Sequence, residues 1–302
     1  MNAHVIRSGS SIGVLSANVL KGDTDGEVIA VFRQSFYARF RAGIVCIGSA
    51  DIGNGPLNLL CADSEGVDWR NFVSLGAAVR CSDRCLRSNN ISIPLSRATK
   101  WVPPTAPPYR NDTVARGILA VADLLPASLP DGGLARMLCR HSSSVSAVER
   151  RASLAIDRLL SWRKSDSTDG DLAEAVALLL GLGPGLTPSG DDFLAGALHM
   201  LRLAGEHNRV RQLSREIKAQ ALHLTNEISI AHLAAAGEGM LSADLHDALN
   251  AVVAGDIQTF ARSLRVFSRR VHHSPWDALV GAVTIGRILS VEAGATCQRK
   301  LG

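Results

Sequence analysis

Between Leu180 and Leu198 the chain reads LGLGPGLTPSGDDFLAGAL. Gly181, Gly183 and Gly185 alternate along this stretch, freeing the backbone to turn and to come close to a ligand. Thr187-Pro188 offers a helix cap followed by proline at the first helical position, and Ser189-x-x-Asp192 offers a second, overlapping cap. A helix opened in this way presents several unbonded N–H groups and the positive end of its dipole, behind a loop with almost no side chains. That is a cradle for a small anion, with Gly183, Gly185, Thr187, Ser189 and Gly190 as its contact residues. It is not a lysine-bearing phosphate loop, because no lysine stands between residues 165 and 217. The preceding ALLLG reads as helix, whereas a dinucleotide fingerprint needs a strand there. A plain helix–loop–helix turn would use glycine too, but three alternating glycines and two adjacent aspartates exceed what such a turn requires.

A partial echo follows. Ser189-Gly-Asp-Asp192-Phe-Leu-Ala-Gly196 aligns with Ser274-Pro-Trp-Asp277-Ala-Leu-Val-Gly281, both reading Ser-x-x-Asp-x-Leu-x-Gly. Each is a capped helix start with a glycine that lets another backbone approach, and the two helix N-termini are expected to converge on one site. The echo keeps Asp192 as Asp277 but replaces Asp191 by Trp276. Capping therefore accounts for Asp192, and Asp191 is expected to be the carboxylate that does chemistry. Thr225, Ser229 and His232 fall at i, i+4 and i+7 of an apolar helix pattern, so these polar groups need partners from backbone or ligand. Gly53-Asn54-Gly-Pro56 is a turn signature. Arg262, Arg265 and Arg269 read as a solvated helix face, with Arg270, His272 and His273 leading into Ser274 as the sharper candidates for an anion contact.

The elements that must carry these residues change character along the chain. Residues 27–32, 42–48, 56–61, 77–81 and 91–95 are short β-branched runs parted by Gly, Asn and Asp. The proline-rich 100–112 connects them to Ala/Leu-rich segments of helical period at 113–125, 146–164, 170–181, 190–206, 210–239 and 275–289. Strands followed by helices predict an α+β fold, with a β-rich domain over 1–107 and a larger, mainly helical domain over 108–302. The chain has 302 residues, 46% hydrophobic and only 4% aromatic, a composition poor in the stacking platforms that single-stranded nucleic-acid binding uses. The 27 Arg and 5 Lys are dispersed rather than gathered in one block. Six scattered cysteines show neither a disulfide framework nor a zinc pattern, so they are expected to be reduced and buried. With no apolar leader and no uninterrupted membrane-length run, the reading is a soluble cytoplasmic protein without a membrane or nucleic-acid partner.

The pattern GxGxGLTPSGDDxLxG at Gly181–Gly196 resembles the signature of the AllH-type subunit of oxamate carbamoyltransferase. Gly53–Pro56, Thr225 with Ser229, and the His-Ser-x-x-Asp at 273–277 are similar to further landmarks of that family in the same order, with Pro275 standing where glycine is expected. The resemblance implies a transferase subunit of allantoin nitrogen catabolism, converting carbamoyl-oxamate and phosphate into oxamate and carbamoyl phosphate beside other subunits. Asp191 would be its catalytic residue. The landmarks add Asn54, Thr225, Ser229, Ser274 and Asp277, with Asp192, to the loop residues as the substrate-binding set. No cofactor is implied. Two rival readings are a non-catalytic, partner-binding subunit and a phosphoryl-transfer enzyme using the aspartate pair, which would need Mg²⁺ to offset their charge.

Overall fold

Strands occupy the N-terminal half in the computed structural model, which describes residues 5–62, 64–88, 90–139, 146–162, 169–269 and 273–299. The strands are β1 (Val5–Ile6), β2 (Gly9–Gly13), β3 (Thr24–Val31), β4 (Ser35–Phe40), β5 (Gly43–Ser49), β6 (Asn58–Cys61), β7 (Ala78–Ser82), β8 (Cys85–Ser88), β9 (Ile91–Pro94) and β10 (Thr99–Trp101). Among the described residues they form one sheet in the order β1-β9-β8-β7-β3-β4-β5-β6-β2-β10. In β4, Phe36, Ala38 and Phe40 point into the core while Arg39 faces out, as the pleat requires. Their partners in the core include Val45, Ile47, Leu59, Trp69, Leu86, Ile91 and Ile93.

Most pairings are antiparallel, but β5 and β6 run parallel, joined by only Ala50 to Leu57. So short a crossover is unusual for parallel strands, and the Gly53–Pro56 turn makes it fit. Asn58 Nδ2 donates to Gly53 O at 2.8 Å, and Ser11 Oγ donates to Asn54 Oδ1 at 2.6 Å. Pro56 O accepts from the first amides of the short helix α1 (Val14–Val19), Leu15 and Ser16, each at 3.1 Å. A methyl group on Gly13 would collide with Gly55 O. β10 extends into the expected connector, since Lys100 and Trp101 pair with Ile12 and Gly13.

The chain divides into two compact units, Met1–Pro104 and Thr105–Gly302. The second holds helices α2 (Asn111–Leu124), α3 (Ala147–Trp162), α4 (Asp169–Leu179), α5 (Ser189–Leu203), α6 (His207–Leu224), α7 (Glu227–Gly237), α8 (Ala243–Ala254), α9 (Ile257–Arg269) and α10 (Ser274–Arg299). The fold is thus α+β, with the sheet first and the helices after it. A capping box starts α3: Ser146 N donates to Glu149 Oε2 at 2.6 Å and Glu149 N to Ser146 Oγ at 3.1 Å.

The single helix expected over 210–239 is two. Thr225 leaves α6 in an extended conformation, and Asn226 Oδ1 accepts from Ile228 N and Ser229 N at 3.0 Å each to begin α7. A cap residue inside an apolar period breaks the helix because its side chain satisfies the amides of a new first turn. The core of this unit is centred on α5 and α10, with Phe193, Leu194, Ala197, Leu198, Leu279 and Val283 fully enclosed.

The two helices cross through their glycines. A methyl group on Gly196 would fall on Ala278 O, and one on Gly281 would fall on Phe193 O. In the sequence echo 193 corresponds to 278 and 196 to 281, so the contact is reciprocal and the echo is a local two-fold. Five described cysteines are free thiols, Cys46, Cys61, Cys81 and Cys85 buried and Cys139 half-buried. Burial pushes the first two up to about 11 and about 12, which leaves them un-ionised and poor nucleophiles. Among the described residues no helix is long and apolar enough to cross a membrane.

Candidate functional site

The glycine loop turns through three left-handed residues, Gly181 at φ 70°, Gly183 at φ 94° and Gly185 at φ 109°, a conformation that L side chains rarely adopt. Gly183 packs against Ser189, and Gly190 lies so close to Leu179 O that any side chain there would collide. Among the described residues the amides of Gly183, Gly185 and Leu186 find no backbone acceptor. Pro184 and Gly185 are exposed.

The caps differ from expectation. Pro188 is itself the N-cap of α5 and no side chain bonds the first-turn amides; Pro188 O accepts instead from Asp191 N at 2.9 Å and Asp192 N at 3.1 Å. Asp192 therefore does not cap its own helix.

The adjacent aspartates point to different partners. Asp191 is 1% exposed, its Oδ1 accepting from Gly181 N at 2.8 Å and its Oδ2 from Ser229 Oγ at 2.5 Å and from Thr225 Oγ1. It ties the start of the glycine loop to the break between α6 and α7, a structural duty that sequence reasoning did not give it. Burial raises its pKa despite those three donors. Thr225 and Ser229 come together on this carboxylate even though Thr225 lies outside the helix. Burial lowers His232, further along α7, to about 4, so it is neutral.

Asp192 and Asp277 form a crossed arrangement. Ser274 of α10 and Thr187 of the loop face Asp192, while Ser189 of α5 faces Asp277. Each helix thus offers its first serine to the other helix's aspartate. Asp277 Oδ1 also accepts from Leu134 N at 2.6 Å, where a side chain on Gly133 would crowd it. The remaining oxygens are unsatisfied: Asp192 Oδ2 and Asp277 Oδ2 are buried with no hydrogen-bond partner, as is His273 Nδ1 immediately before α10.

Asp192 and Asp277 are 8% and 1% exposed. Burial pushes both pKa values up, Asp277 to about 6 and Asp192 well above the ordinary carboxylate range, where the charge of Asp277 adds to the effect. Buried polar atoms in folded proteins are nearly always satisfied, so three unsatisfied ones at these two crossed helix starts are a specific departure. His273, Ser274 and Thr187 are half-buried and form the mouth of this junction. Leu134 and Gly133 were missed from the sequence; their only signal is the Asp131-Gly-Gly133 turn.

Asn54, in the sheet unit, is engaged by Ser11 as described. Arg262 and Arg265 are exposed on α9, Arg262 Nη2 donating to Thr259 Oγ1 at 2.7 Å. Arg270 and His272 lie outside the described residues. Among the described residues no three His, Cys, Asp or Glu side chains cluster as metal ligands.

A loop opening one buried helix, a second helix start crossed over it and an acid pair between them make a polar junction in a helical core. The family model of oxamate carbamoyltransferase subunit AllH matches residues 179–285, which begin at the end of α4 and run into α10, so they span the whole junction except Leu134. Over these residues the chain is similar to that subunit, in agreement with the resemblance of its glycine loop. No curated protein and no solved structure matches the chain.

Proposed function

We propose that this chain is a subunit of a carbamoyltransferase that acts with other subunits on carbamoyl-oxamate and phosphate, giving oxamate and carbamoyl phosphate. The observation that carries the reading is the coincidence of the matched region, residues 179–285, with the unsatisfied Asp192, Asp277 and His273 atoms at the α5/α10 junction. Phosphate attack on the carbamoyl carbon breaks its bond to the oxamate nitrogen. The attack needs donors for the anions, and amides at a glycine loop and helix start supply them without reorganisation. The departing nitrogen needs a proton, and a carboxyl whose pKa burial raises is a suitable acid. Asp192 has that environment. Asp191, already holding three donors, serves in this reading as a positioning residue for the loop.

The test is carbamoyl phosphate formation by the purified chain, alone and then with candidate partner subunits. Asp192→Asn should lower turnover by roughly 10²-fold or more at matched thermal stability, and Asp191→Asn by much less. A large loss confined to Asp191→Asn would return the chemistry to Asp191. Full turnover in both variants would favour a non-catalytic subunit, and no product in any combination would overturn the reading.

A further inference from the structure

Two features of the junction pull in opposite directions for a simple anion. The loop amides of Gly183, Gly185 and Leu186 lack backbone acceptors among the described residues and lie on the half-buried to exposed side, which suits negative charge. The inner side, between the starts of α5 and α10, is lined by Asp192 and Asp277. Their unpartnered Oδ2 atoms are buried there, together with His273 Nδ1. A phosphate or carboxylate pushed against two carboxyl groups is repelled, while a purely donating cation meets the positive ends of two helices. A neutral head group that both donates and accepts has neither problem.

We propose that Asp192 and Asp277 act together as one donor–acceptor pair for a carbamoyl or other primary amide head group, while the loop amides of Gly183–Leu186 take the anionic end of the same ligand. One carboxyl donates its O–H to the amide oxygen, and the other accepts from the amide NH₂. The assignment rests on the carbamoyltransferase reading only for the choice of amide; the polarity of the junction is its own observation. Sequence distance hides the pair, because Asp192 and Asp277 come together only through the reciprocal crossing at Gly196 and Gly281.

The pair must hold a proton to donate. Burial raises both carboxyls, so the pair holds a proton to higher pH than ordinary carboxyls do, and the described groups that bear on its charge are Asp191 from α5 and His273 from the segment before α10. Ser274, Thr187 and Ser189 face it as neutral partners. Loss of that proton at higher pH leaves two acceptors facing the amide oxygen, so amide binding weakens as pH rises.

Titration calorimetry of the full chain with oxamate and with oxalate, from pH 5.5 to 8.5, tests this. Oxamate has a primary amide where oxalate has a second carboxylate. The parent protein should prefer oxamate by about tenfold or more at pH 7, and its oxamate affinity should fall by up to about tenfold per pH unit once the pair ionises, as loss of one required proton demands. Asp192→Asn, which keeps a permanent donor, should retain oxamate binding with a flattened pH dependence. Asp192→Leu should lose at least about tenfold in affinity. Equal binding of oxalate, an oxamate affinity independent of pH, or no oxamate binding by the parent overturns the proposal, and the parent measurements decide even where a variant fails to fold. Amide selectivity without carbamoyl phosphate formation in any reconstituted complex would sink the transferase reading and leave the pair standing.

Discussion

A carboxyl group that keeps its proton in the fold weakens that fold when the proton is lost. Asp277 ionises near 3.8 in an unfolded chain and at about 6 here, because burial outweighs the Leu134 amide, the Ser189 hydroxyl and the charge of His273. Its folded pKa is raised, so between those values the native state binds more protons than the unfolded one, and stability falls as pH rises through that window. The loss amounts to about 3 kcal/mol once pH exceeds 6 by a unit. Asp277→Asn removes it and keeps an acceptor for Leu134 N. Urea unfolding should therefore find the variant gaining on the parent by about 2–3 kcal/mol between pH 4 and pH 8. A constant difference across that range would mean that Asp277 is ionised throughout. Asp191, in the first turn of α5, differs: three donors engage its oxygens, and its carboxylate fixes the start of the glycine loop.

The crossing of α5 and α10 brings ten repeated residues together as one polar junction. Gly196 and Gly281 each admit the other helix's backbone, at Ala278 O and Phe193 O respectively, and this close approach sets the first serine of each helix beside the aspartate of the other. A methyl group at either glycine has only carbonyl backbone to displace, so Gly196→Ala and Gly281→Ala should each destabilise by about 3 kcal/mol or more, at the upper end of overpacking costs. The local two-fold makes the two penalties similar in denaturant unfolding; a tolerated substitution at one position alone would contradict it. Much of this was legible in sequence: the change from β-branched runs to helical period, the glycine loop, the Ser-x-x-Asp echo and its converging helix starts. What sequence alone missed has physical causes. β2 (GSSIG) and β8 (CLRS) are short and small or polar, and they are strands because neighbours pair with them. The break at Thr225-Asn226 hid inside a continuous apolar period. Asp192 reads as a cap because capping is a local rule, whereas it is engaged by a helix that starts more than eighty residues away.

Each of the two units has a core of its own, one built around Phe36, Ile47, Leu59 and Trp69 and the other around α5 and α10, and a separate core is what makes a unit cooperative in unfolding. Calorimetry should accordingly resolve two transitions. The helical unit contains an internal marker for its own transition. His199 and His246 pack edge to face with ring centroids 4.7 Å apart, and both ring nitrogens of His199 are buried without a hydrogen-bond partner. Burial, with the nearby His246 and Arg202, lowers His199 to about 3. A lowered histidine contributes stability that is present above the unfolded value near 6.5 and is lost as pH falls, since the unfolded chain takes up a proton that the fold refuses. At pH 4.5 that loss from His199 alone is about 3 kcal/mol. His199→Leu removes both the unsatisfied nitrogens and the titration, so it should raise the helical transition at pH 7 and raise it further, by about 3 kcal/mol relative to the parent, at pH 4.5. The described part of the sheet unit contains no histidine, and its one shifted carboxyl, Asp68, is paired with Arg70 at the surface. Its transition should stay where it is in the variant. Movement of both transitions together would show that the two cores unfold as one, and an unchanged acid response would mean that His199 takes up its proton in the folded state.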